Sequence, residues 1–314
     1  MKYSWILLFV LLGCVPEPIP LDIEQAESKI VVSTQAIPNQ GMVVILTRSF
    51  SALSDGTEGS FNQSDLQQYL VTGANVTVES QNEEVTLQEL TEGLYGSIAL
   101  LQESGKNYNL KVIDAQEGKT VTASIQLQDA VGISNATARI DQQETTSIWL
   151  RLGFDFNDPI GKNYYMLNAY VNPSPPDFQG LLGGFGGLGG IGSIGGGEDI
   201  GGNTTGGPPS SRIPGLSNLF SDFSATWILN DEGRDGQQIQ EERIIYNIEV
   251  VPGDVVLLTL SNISEEYYFY LQAREKSESA IPFVTEPVTL PSNIEGGYGF
   301  FSMHYPVPFS ITLQ

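Results

Sequence analysis

The stretch KTVTASIQLQ, residues 119–128, decides the fold. Val121, Ala123, Ile125 and Leu127 fall at every second position, with Thr122, Ser124 and Gln126 between them, so an extended chain is apolar on one face and polar on the other. That alternation suits an antiparallel sheet with one packed and one wet face. The preceding YNLKVID (108–114) alternates in the same way, and AQEG (115–118) between the two runs makes a turn. The same grammar extends toward the amino terminus. KIVVST (29–34) and MVVILTRSF (42–50) flank QAIPNQG, and ANVTVES (74–80) and EVTLQEL (84–90) flank QNE. Six such runs predict a β-sandwich of immunoglobulin or transthyretin type over residues 27–130.

A second β set fills residues 131–314. It opens with SIWLRLGFDF (147–156), where Ile148, Leu150, Leu152, Phe154 and Phe156 align, and continues in NYYMLNAYV (163–171). It resumes in FSATWIL (223–229), QQIQEERIIYNIEVV (237–251) and DVVLLTLS (254–261), and closes with PFSITLQ (308–314). SEEYYFYLQAREKSES (264–279) reads as the one helix. Ser264 suits its cap, Glu265 and Glu266 the positive end of its dipole, and Arg274 and Lys276 the other end. Tyr267, Tyr268 and Leu271 are expected to pack this helix on the sheet. The fold class is therefore mainly β: two antiparallel sandwich-like domains, with a short helix in the second.

Within the second set lies a glycine-rich insertion, residues 180–209, with 15 glycines in the 28 residues from 180 to 207. Gly184, Gly186 and Gly189 match G-x-G-x-x-G, but no strand feeds the motif and no helix follows, which excludes a nucleotide loop. Leu182, Phe185, Leu188, Ile191 and Ile194 recur at every third residue. A polyproline II helix would align them in one apolar stripe, an expected partner-binding element. Because glycine is costly to order, a flexible loop is the default reading of this segment and the docking stripe the sharper one.

Residues 5–12, WILLFVLL, form an apolar core of eight after Lys2, far short of the roughly 20 residues that span a bilayer. The run ends in LLGC, and Cys14 is the only cysteine of the chain. LLGC resembles the bacterial lipobox. Residues 1–13 are thus expected to be a signal peptide and Cys14 the lipidation site, carrying diacylglycerol and an N-acyl chain. The proline-bearing residues 14–26 are expected to form a tether. With a single cysteine, an internal disulfide cannot form.

The chain carries a formal net charge of −23, with 14 basic and 37 acidic residues, which excludes nucleic acid as a natural partner. His304 is the only histidine, so a zinc or haem centre of the usual kind lacks its ligands. GFDFNDP offers Asp155, Asn157 and Asp158, and NDEGRDGQ offers Asp231, Glu232 and Asp235. Both depart from a calcium loop, with Pro159 in the fifth position of one and Gly233 in the third of the other, so both read as turns. No metal, no other cofactor and no catalytic residue is expected. With 37 acids a glycosidase pair stays open.

The ordered segments VILTRSF, VTGANVTV, EGLYGS, NYNLKV, NYY, SDFSATWILNDEGRDGQ, NISEEYYFYLQA and LPSNIEGGYGFF resemble the Bacteroidota lipoproteins grouped as domain of unknown function 4249. The closing segment, with Asn293, Gly296, Gly297 and Gly299, is the most specific part, and its glycines read as a tight turn before a strand. The resemblance implies a lipoprotein of the outer membrane, facing the cell surface. It also implies a non-enzymatic accessory subunit beside a β-barrel, either a TonB-dependent transporter or an assembly or secretion machine. A surface module binding glycan or another nutrient is the alternative, and a hydrolase a third.

Overall fold

The computed structural model describes residues 27–37, 41–49, 67–81, 83–97, 99–100, 102–144, 147–172, 224–278 and 288–314. The first sandwich is built from β1 (Ile30–Ile37), β2 (Gly41–Arg48), β3 (Asn75–Ser80), β4 (Glu83–Thr91), β5 (Leu94–Ser97), β6 (Asn107–Asp114) and β7 (Lys119–Gln126). In β6 and β7 the alternation reads as expected. Tyr108, Leu110 and Val112 lie opposite Ile125, Ala123 and Val121, and all six are buried. They join Val32, Val44, Val76, Val78 and Leu87 in one core.

The second sandwich places a three-stranded sheet, in the order β12 (Gln238–Tyr246), β9 (Ser147–Asn157), β8 (Ile133–Glu144), against a four-stranded one. The latter runs β11 (Ala225–Asn230), β10 (Tyr164–Val171), β13 (Val255–Ile263), β15 (Val307–Thr312). Leu150, Leu152, Phe154 and Phe156 of β9 face Tyr165, Leu167, Val256, Leu258 and Leu260 across the core.

β10 is buried from Tyr164 through Ala169, on both faces. The second face is covered by α1 (Glu265–Glu278), whose Tyr268 and Leu271 cluster with Tyr164, Met166 and Ile263. Ser264 caps α1 as its sequence predicts. Its Oγ accepts the amide of Tyr267 at 3.2 Å, and its carbonyl accepts that of Tyr268 at 3.0 Å. The expected packing is split, however. Tyr268 and Leu271 face the second sandwich, whereas the rings of Tyr267 and Tyr270 pack on Phe300 of the first, with centroids 5.2 and 4.9 Å away. The helix therefore rivets the two sandwiches together. It is not long enough to cross a membrane, and among the described residues no helix is.

A division at residue 130 puts all of 131–314 in the second domain, and the structure corrects this. β14 (Tyr298–Phe300) pairs parallel to β1, matching Val31 with Tyr298 and Ser33 with Phe300. Glu295 bridges to Thr122 of β7 through two main-chain hydrogen bonds of 3.2 and 2.8 Å. The segment thus lies across the gap between the two edges of the eight-stranded sheet, β14-β1-β2-β5-β4-β3-β6-β7, and sends Ile294, Phe300, Phe301 and Met303 into the first core. Its glycines do more than turn the chain. A Cβ on Gly299, whose φ is +95°, would sit 1.9 Å from the carbonyl oxygen of Val32, and one on Gly297 would sit 2.5 Å from that of Ile30. Only a bare backbone fits so close to β1. Asn293 fixes the segment by exchanging two 2.8 Å hydrogen bonds with the main chain of Phe301.

Candidate functional site

Two acidic turns, separate in sequence, meet in space. β9 ends at Asn157 and runs into Asp158, while β11 ends at Asn230 and runs through Asp231 and Asp235 into β12. Because β12 pairs with β9 and β11 with β10, the connection from one sheet to the other crosses directly over the turn at 158–163. Carboxylate oxygens of Asp158, Asp231 and Asp235 consequently lie within 4.8 Å of one another.

Each carboxylate is also a clamp on the main chain. The amide of Gly236 donates to Asp158 Oδ2, that of Asn163 to Asp231 Oδ2 and that of Gly161 to Asp235 Oδ1, all at 2.8 Å. The hydroxyl of Tyr165 donates to Asp158 Oδ1. Burial first, and then the Asp158 carboxylate, push the Tyr165 phenol far above its ordinary range, so it remains a donor. Asp158 and Asp231 are buried and Asp235 is exposed. The trio supplies oxygen ligands only, the donor set that hard cations take. Its demonstrated work is to lock two loops at the end of the sandwich nearest α1.

The remaining acids of those turns do not join the cluster. Asp155 lies on β9 and accepts Gln238 Nε2 at 2.6 Å, and Glu232 is exposed. His304 is buried beneath Tyr267, ring centroids 5.9 Å apart, and its Nδ1 has no hydrogen-bond partner. Burial lowers its pKa to about 4, so the imidazole is neutral at ordinary pH and serves the junction as a packed ring. The tyrosine runs are packing elements as well: Tyr164, Tyr165 and Tyr268 are buried.

Sequence reasoning did not foresee a polar triad at the junction. Lys162 pairs with Glu265 at the start of α1, and the hydroxyl of Tyr164 donates to the same carboxylate oxygen at 2.7 Å. Hydrogen bonds from Lys162 and Tyr164 hold the Glu265 carboxyl below its usual range. No spacing could have announced this, since Lys162 and Glu265 are 103 residues apart.

Cys14 and the stripe Leu182, Phe185, Leu188, Ile191 and Ile194 lie outside the described residues. The roots of the insertion are described. Val171 donates its amide to Ser224 Oγ at 3.1 Å, and Asn172 donates to the carbonyl of Val255 at 2.7 Å. Both lie at the end of the second sandwich away from α1.

Residues 16–305 match the family model described as Domain of unknown function (DUF4249). None of the curated proteins compared with the chain matches it. Among solved structures, a segment of two fibronectin type-III domains from chicken tenascin is similar at 8% identity. The similarity covers 75% of this chain and 91% of that one, with a TM-score of 0.20.

Proposed function

We propose, from the premise that the chain belongs to the family described as Domain of unknown function (DUF4249), that it is a lipid-anchored accessory subunit of an outer-membrane β-barrel complex. In this reading Cys14 carries the acyl chains, the protein comes from a Bacteroidota envelope, and it faces the cell surface. The observation that carries the proposal is the apolar run ending in Leu11, Leu12, Gly13 and Cys14, with the family match beginning two residues later, at 16.

The physical chemistry supports an anchor of this kind. Each buried acyl methylene contributes about 0.8 kcal/mol, so two or three chains hold where one would be marginal. Thirteen peptide units separate Cys14 from Glu27, a reach of at most about 45 Å when extended. That length keeps the first sandwich near the bilayer. The insertion's roots, Val171 and Ser224, lie at the end of the second sandwich away from the junction, and in this reading its apolar stripe meets a partner such as a TonB-dependent transporter or an assembly or secretion machine. The work is non-enzymatic in this reading, and the anchor lipid is the only attached group.

Mass spectrometry of the amino-terminal peptide from the native host tests the anchor. A diacylglyceryl-modified Cys14 is expected, and a chain that is unmodified and washes freely from envelopes would overturn the proposal. Affinity purification after gentle detergent extraction tests the partner. A stoichiometric barrel protein, lost on deletion of residues 181–197, is expected. Recovery without any barrel protein would rule out the accessory role.

A further inference from the structure

Where the two sandwiches meet, a cleft of about 530 Å3 opens between the edge of β7 and the corner formed by β13 and α1. Its position and size are those at which small-molecule sites recur, at a domain interface and within about 300–1,000 Å3. Carboxamides and hydroxyls make up much of its wall. Ser124, Gln126 and Asn107 come from the outward faces of β7 and β6, and Asn262 from the end of β13. Gln126 spends one N–H on the carbonyl of Gly105 at 3.1 Å and Asn262 one on Asn163 Oδ1 at 3.4 Å, and the second N–H and the carbonyl of each carboxamide, a donor and an acceptor side by side, match neighbouring hydroxyls on a ring.

The charged groups narrow the choice of ligand. Lys162 is consumed by Glu265, which leaves Glu266 as the unbalanced charge of the lining, within a chain of net charge −23. An anion is repelled there. The amides of Glu265 and Glu266 open α1 and have no acceptor within the helix, whereas those of Tyr267 and Tyr268 are taken by Ser264. Phe269 stands one turn along α1 from Glu265, is 45% exposed, and holds its ring 6.1 Å from that of Tyr164 in the lining. It offers an exposed apolar face beside the lining.

Carboxamides, serine hydroxyls and a nearby exposed ring, with the one described lysine of the lining paired to Glu265, are together the complement of a pyranose, which is polar at its edge and apolar on its face. We infer that the junction cleft binds a neutral oligosaccharide. This site is distinct from the anchor and from the insertion, and its failure would leave both standing.

Saturation-transfer NMR on the full chain in detergent tests the inference, with maltohexaose, cellohexaose and mannohexaose as probes. Transfer to at least one of the three is expected. Gln126→Ala combined with Phe269→Ala should weaken it about tenfold, the size of one or two lost contacts. Both positions are exposed, and an unchanged melting curve verifies that the variant is folded. Tyr246→Ala, at the other end of the second sandwich, should leave binding unaltered. No transfer to any of the three sugars, transfer that the double variant leaves intact, or binding of hexalysine in place of sugar would each overturn the assignment.

Discussion

The sheet of the first sandwich and the four-stranded sheet of the second solve the same burial problem differently. In the first, β6 and β7 alternate, hiding Tyr108, Leu110 and Val112 while Asn107, Asn109 and Lys111 meet water. In the second, β10 is buried on both faces, because α1 covers Tyr164 and Met166 while the partner sheet covers Tyr165 and Leu167. An alternating strand needs one neighbour layer, but a continuously apolar one needs two. The second layer here is a helix whose opposite side holds the first sandwich, so covering the sheet and joining the domains are one act.

The sharpest way to break this comparison is to place a charge at equivalent outward positions. Met166→Lys buries an unpaired ammonium between β10 and α1 and should cost more than about 4 kcal/mol in urea unfolding. A loss below about 1 kcal/mol would mean that α1 does not seal that face. Gly299→Val should follow, at about 4 kcal/mol, since its Cβ would collide with the Val32 carbonyl at a backbone angle side chains avoid. Cysteine cross-linking of β1 to β14 in that variant should fail if the strand has detached.

A third test uses pH. The His304 pKa is lowered to about 4 in the folded protein by burial, while the unfolded chain protonates near the ordinary histidine value of about 6.5. Between those values the unfolded state holds more protons, so stability present at neutral pH is lost as pH falls from about 6.5 toward 4, on the order of 3 kcal/mol in all. His304→Gln should flatten that part of the stability profile, measured by chemical unfolding at a series of pH values. Asn109→Lys, on the wet face of β6, is the smallest change and should stay within about 0.5 kcal/mol in the same assay.

What could be read from residues alone follows the same divide. β6, β7 and β9 were legible because period-two alternation survives wherever one face is wet. α1 was legible from Ser264 and the charges at its ends, although not its second set of contacts, which depends on where Phe300 arrives. β5 escaped notice because four residues are too few to show a period, and of β14 only a strand after the glycine turn was legible, not its pairing with β1. β8 escaped because Ala136 and Ala138 fill its inward positions, too small to signal burial. The mainly β character holds, with one long helix in the second domain among the described residues. The boundary at 130 misses the return of β14, a pairing between residues more than 260 positions apart. The aspartates followed the same rule: each turn was visible locally, and the meeting of Asp158 with Asp231 was not.

The placement of β14 sets an order of events for biosynthesis. β1 emerges early from a ribosome or an export channel, and the strand on its far side, β14, arrives only after β2 through β13 and α1 have followed it. Until then Thr34 lacks the Ser302 amide that donates to its hydroxyl at 2.7 Å, and the floor beneath Tyr267 does not exist. A truncated or stalled chain therefore leaves its amino-terminal module unfinished. Completion of that module is a record that every element from β1 through β14 has been delivered.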